Sequence, residues 1–187
     1  MEEKPNSRAV YYMYFVSSFF GLLAILTPEP SRPWITCWLA IIIVGGIWTL
    51  IGFIQKLDQN RHWRGIYGLI QSNLFSVFGF VFFYRGTGEK LWIGILSILV
   101  FVTIAGWAFK NRRLVLSEIL SPKRKISLIL RLVAMGGGGG VLAGLVLGKA
   151  FPSLAPVMIG LVSAILLLVW NSLWVKTEDP DWEPEVE

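Results

Sequence analysis

Apolar residues in this chain fall into six blocks separated by short polar segments, roughly Val10–Thr27, Trp34–Ile54, Gly65–Tyr84, Leu91–Phe109, Ile126–Gly148 and Ser153–Val175. At about 1.5 Å per helical residue each block is about 27–34 Å long, enough for a hydrocarbon core of about 30 Å. Helices and closed barrels both satisfy backbone polar groups in lipid. Blocks of 18–23 residues without strict alternation predict helices. The segments at 28–33, 85–90 and 149–152 are short turns, and those on the other side of the membrane are longer. The blocks therefore pair into three helical hairpins, 10–54, 65–109 and 126–175, whose members are antiparallel neighbours. The expected fold is an all-α polytopic membrane protein with six transmembrane helices. Residues 1–9 form a cytoplasmic N-terminus, and 176–187 form an acidic tail too polar to pack and expected to be disordered.

Lys and Arg in the connections give the orientation. With the N-terminus inside, twelve of them face the cytoplasm (among them Lys56, Arg61, Arg64, Lys110 and Lys176). Four, Arg32, Arg85, Lys90 and Lys149, face outward, and Arg131 lies inside the fifth block. This bias predicts both termini inside a bacterial cytoplasmic membrane. Trp34 and Trp92 lie at outer ends and Tyr11, Tyr67 and Trp174 at inner ends, as interfacial anchors do. Lys4 and Arg8 precede the first block as in a signal peptide. Glu2 and Glu3 dilute that charge and no A-x-A-like site follows, so the block is read as a retained span.

Composition agrees. Of 187 residues, 55% are hydrophobic and 16% charged, with a mean hydropathy of +0.63. These values exclude a disordered chain and argue against an ordinary soluble domain. The net charge of +5 hides an asymmetry, because six of twelve acidic residues occupy the last ten positions. The basic residues flank apolar spans, which reads as membrane topology and not nucleic-acid binding. One cysteine, Cys37, and one histidine, His62, exclude an intrachain disulfide and a Cys/His metal cluster by count. No cofactor is expected.

The fifth block holds five consecutive glycines, Gly136 to Gly140. Gly136, Gly140, Gly144 and Gly148 recur every fourth residue and form a small-residue ridge for close helix packing, within the bundle or against a second copy. A flexible or unwound segment is the other reading of the pentaglycine. Gly21, Gly79 and Gly144 each lie near the outer end of a hairpin's first helix, in FFGLLAILTP, VFGFVFFYRG and LAGLVLGKAFP. Each precedes a tryptophan by 26–28 residues: Trp48, Trp107 and Trp170. Such recurrence suggests three parallel repeats about an axis along the membrane normal.

With these glycines, the aliphatic second helices and the basic inner loops, the chain resembles the HdeD-type acid-resistance membrane proteins. The resemblance covers most of residues 10–175. It implies six spans made of a thrice-repeated two-helix unit and a role in acid-stress resistance, and it carries no catalytic motif. The pentaglycine, the tryptophan content and the acidic tail depart from that pattern.

None of the acidic residues lies in a predicted span, whereas coupled transporters commonly place a carboxylate near the midplane. Intramembrane aspartyl proteases need two acids, and H-E-x-x-H zinc hydrolases need ligands absent here. An enzyme is thus disfavoured. Gln71, Ser72 and Asn73 form a polar cluster in the third block, with Ser17 and Ser18 at comparable depth in the first. They read either as a polar lining for permeation or, preferably, as interhelical hydrogen-bonding groups. Asn171 reads as a cap or headgroup contact. His62 reads as a solvated loop residue or a sensor of acidification, and Cys37 as a small apolar residue. The 110–125 connection carries Arg112, Arg113, Lys123, Arg124 and Lys125 around Leu114–Leu120, an interfacial segment suited to anionic headgroups. Arg131 joins this set or snorkels to the inner surface. The acidic tail is opposed in charge to this connection and predicted to fold back on it.

The leading expectation is a non-enzymatic membrane protein in stress resistance or envelope maintenance, acting as an interaction or assembly subunit. A small transporter or channel using Gln71–Asn73 is the alternative, followed by a lipid-modifying enzyme. Partners are membrane lipids and a second copy or another membrane protein, not nucleic acid.

Overall fold

Proline, glycine and asparagine punctuate the helices. Thr27-Pro28-Glu29-Pro30 stops the first, Pro33 opens the second in its first turn, and Asn60 caps the third by accepting from the Trp63 amide at 3.1 Å. The computed structural model describes residues 10–120, 154–179 and 181–183, and all regular structure among them is helical. In order these are α1 (Tyr12–Leu26), α2 (Arg32–Ile54), α3 (Arg61–Gly86), α4 (Leu91–Lys110), α5 (Arg112–Leu120), α6 (Leu154–Ser172) and α7 (Val175–Glu178). A 3-10 turn at Leu57–Gln59 lies between α2 and α3.

Four stretches are long and apolar enough to cross a membrane: α2, α3, α4 and Ala155–Glu178. The first block is shorter than expected. α1 has 15 residues, about 23 Å at 1.5 Å per residue, because the proline-rich turn ends it at Leu26. The fifth block, Ile126–Gly148, lies outside the described residues, as do its glycines Gly136, Gly140, Gly144 and Gly148.

α3 is the central helix. Its buried residues, among them Tyr67, Gln71, Ser76, Phe78, Gly79, Phe82 and Arg85, face both α1 and α6. Phe20 and Ala24 of α1, Phe78 and Phe82 of α3 and Ile159 of α6 meet in one core, with Phe20 and Phe75 stacked at 4.3 Å. The closest packing thus runs between the expected hairpins more than within them. α4 lies mainly against α6, although a four-residue turn joins it to α3. α2 rests on α1 at the edge and buries only Gly52. Its Ile43, Val44 and Ile47 are exposed, as suits a face solvated by lipid.

The α3–α4 turn ties α3 to α1. Gly88, at φ +89°, ends α3 in a Schellman motif, with Gly88 N–H on the Arg85 carbonyl and Glu89 N–H on that of Tyr84, both 3.1 Å. This sets the Glu89 carboxylate 3.1 Å from Arg85 Nε. The guanidinium is then free to reach α1. Arg85 Nη1 donates to the carbonyls of Ala24 (3.1 Å) and Ile25, and Nη2 to that of Glu29. The last carbonyls of a helix lack intrahelical partners, and Arg85 supplies one from a neighbouring helix. Arg85 is only 2% exposed, with the Trp34 ring 5.9 Å away.

Arg85→Gln removes this clamp and strands buried carbonyls. It is expected to lower stability by about 3 kcal/mol, read from tryptophan-fluorescence unfolding in detergent. Arg85→Lys keeps the charge but not the fork and falls between the two. A wild-type unfolding midpoint for Arg85→Gln contradicts the clamp.

Candidate functional site

Three successive helical positions sweep about 200°, and Gln71, Ser72 and Asn73 accordingly diverge. Gln71 turns to α1, where its Oε1 accepts from Ser17 Oγ at 2.7 Å. Asn73 turns to α6. Asn171 Nδ2 donates to Asn73 Oδ1 at 2.9 Å and to the Leu167 carbonyl at 2.7 Å, while Asn73 Nδ2 donates to the Leu69 carbonyl at 2.8 Å. Ser72 Oγ stays on its own helix and donates to the Gly68 carbonyl at 2.7 Å. Ser18 does not join them. Its carbonyl accepts from Trp38 Nε1 at 3.2 Å, and its buried hydroxyl has no partner among the described residues. Gln71 with Ser17 and Asn73 with Asn171 therefore occupy two seams on different sides of α3, and Ser72 and Ser18 join neither pairing. Asn171, expected to cap or meet headgroups, is instead buried and paired with Asn73.

Small residues let the α3–α6 seam close. A Cβ on Gly79 would lie 2.7 Å from Ser163 Cβ, and one on Gly160 would lie 3.1 Å from Phe83 Cγ. Gly86 meets the Pro156 ring. Small residues thus allow close packing of α3 on α6; the ridge expected on the fifth block lies outside the described residues. Gly21 and Gly79, aligned as repeat positions, take different neighbours: Phe78 of α3 and Ser163 of α6.

At the other end an aromatic cluster ties α1, α2 and α3. Trp63 and Tyr67 stack at 4.8 Å, Trp48 approaches Tyr67 at 4.9 Å, and the Thr49 and Tyr67 hydroxyls lie 2.7 Å apart. Tyr67 is wholly buried and Tyr11 nearly so, which makes both core residues and not interfacial anchors. Tyr11 donates to the buried Asp58 carboxylate at 3.2 Å. His62 lies edge-on to Trp174 at 5.7 Å, and Cys37 is a free thiol exposed on α2.

Of the basic lipid-contact candidates, Arg112 and Arg113 are engaged by protein. Arg112 donates through Nε and Nη2 to Glu178 at 2.9 and 3.0 Å, and Arg113 lies 3.9 Å from Asp179. The expected tail thus begins differently: Val175–Glu178 is the helix α7, held by Arg112 and by Trp174 Nε1 on Glu178 at 2.8 Å. α5 lays Val115 and Ile119 on Ile165, Leu168 and Val169 of α6. Lys123, Arg124, Lys125 and Arg131 lie outside the described residues.

Sequence reasoning missed Arg85, Ser163 and the pairing of Asn171. The Arg85–Glu89 spacing of four and Gly88 after the helix were the only local signals. No group of three or more His, Cys, Asp or Glu suited to a metal occurs among the described residues. No family model, curated protein or solved structure matches this chain.

Gly79→Ala is expected to force α3 and α6 apart and cost about 1–3 kcal/mol, with Ser163→Gly in the same chain restoring most of the loss. Thermal unfolding of the single and double variants measures this. Simple addition of two losses would contradict the close approach.

Proposed function

We propose that the chain is a six-span, three-hairpin, non-enzymatic protein of the bacterial cytoplasmic membrane with both termini in the cytoplasm. In this reading it serves stress resistance or envelope maintenance as an interaction or assembly subunit. The observation that carries the proposal is the engagement of Gln71 by Ser17 and of Asn73 by Asn171. The side chains a permeation route would need facing water are used to join helices.

Further support comes from topology. α5 packs beside the end of α6 that leads to α7, whereas α6 starts beside Gly86, at the opposite end of the bundle. Residues 121–153 connect these two ends, which favours a fifth crossing by the apolar block in that segment. The cytoplasmic excess of Lys and Arg favours the stated orientation. The resemblance to HdeD-type proteins favours the stress role. The exposed apolar faces of α2 and α4 suit lipid, a second copy or another membrane protein.

Purified protein in sealed liposomes is expected to add no ion or solute flux above protein-free vesicles. Gln71→Leu combined with Asn73→Leu should lower the unfolding midpoint, by about 0.6–2 kcal/mol for each lost interhelical contact, and leave flux at background. Flux in the wild type that vanishes in a folded double variant would overturn the reading in favour of a transporter.

A further inference from the structure

The inner end of the bundle contains a cleft of about 220 Å³ between α1, α3 and the junction of α6 with α7. Its walls include Met13 of α1 and Trp170 and Trp174 from the α6 side, and glycines Gly65 and Gly68 of α3 line it. A Cβ on Gly68 would find only Met13 Sδ, at 3.9 Å, so the cleft has room at that point. Arg64 is the one charged residue in the lining. It is half-buried, and among the described residues its guanidinium has neither a hydrogen bond nor an ion pair. Its neighbours on this side are engaged: Arg61 with the Lys176 carbonyl, Arg112 with Glu178 and Arg113 with Asp179.

We propose that this cleft binds one anionic phospholipid of the cytoplasmic leaflet, its phosphate on Arg64 and the start of an acyl chain between Met13 and Trp170. Charge complementarity selects the headgroup, since a partly desolvated guanidinium with no partner among the described residues matches a phosphate in charge and fork geometry. The apolar walls select the chain, and the two tryptophans suit the headgroup level of a bilayer. Arg64 thereby becomes a lipid contact additional to the candidates Arg112, Arg113, Lys123, Arg124, Lys125 and Arg131. The site rests on the bilayer placement proposed above but not on the assembly role.

The test is native mass spectrometry of the full chain released from micelles containing phosphatidylglycerol or phosphatidylcholine. Wild type should retain one phosphatidylglycerol in preference to phosphatidylcholine. Arg64→Gln should weaken that retention about fivefold. Gly68→Leu, which fills the cleft and leaves the charge, should also reduce it, while Lys110→Gln, an exposed charge on the same side, should not. A thermal melt of each variant checks folding. Equal retention of the two lipids by wild type overturns the site, leaving the cleft to the chain's own residues. Equal losses in Arg64→Gln and Lys110→Gln also overturn it, as does displacement of the lipid by millimolar inorganic phosphate. A protein that conducts ions yet keeps its single phosphatidylglycerol would remove the assembly role and leave this site standing.

Discussion

A helix buried on two sides has little access to water for its polar side chains, and α3, packed between α1 and α6, is in that position. Each polar group on its buried faces must find a partner on its own backbone or on a neighbour. Gln71 finds Ser17, Asn73 finds Asn171, and Ser72 and Ser76 turn back to carbonyls one turn earlier. Direction of burial and direction of hydrogen bonding therefore coincide, fixing which helix lies on which face. Hydrophobicity alone cannot do this, because a leucine is as comfortable against lipid as against another helix.

The two ends of α3 are secured by different chemistry. At the α3–α4 turn, one guanidinium gathers the carbonyls that α1 leaves open, and a glycine-based cap holds its carboxylate partner. At the other end, stacked Trp63 and Tyr67 lock α3 to α1 and α2, and Asp58 sits beneath them on Tyr11. Beside this cluster, the ion pair of Arg112 with Glu178 joins the α4–α5 corner to α7. Small residues then set the α3–α6 distance between the two ends. Such an arrangement leaves apolar faces of α2 and α4 exposed and keeps the polar groups at the centre.

The length and spacing of apolar blocks made the helices legible in the sequence. α2, α3 and α4 fall within a few residues of their predicted positions. What the pattern could not reveal is who touches whom. Asn73 and Asn171 are 98 positions apart, and no periodicity links them. Arg85 reads as an outer-loop charge when basic residues are counted for topology, because the count ignores that an arginine at a helix end can reach another helix. Tyr67 reads as an anchor for the same reason: its depth in sequence is interfacial, but neighbouring rings cover it. The glycine spacing drew attention to the fifth block, which lies outside the described residues, whereas the close contact of Gly79 with Ser163 carried no such spacing signal. The polar triplet was legible as a cluster; its division between two helices depended on their placement in space.

The central claim is that the polar interior of α3 is satisfied by helices and closed to water. Replacing Ser17 or Ser76, both at most 1% exposed, with cysteine in a Cys37→Ser background puts a near-isosteric thiol at that interior. The account predicts that a small water-soluble methanethiosulfonate leaves both thiols unmodified in native membranes and modifies them fully after unfolding in detergent. Rapid labelling of either position in the folded protein would contradict it.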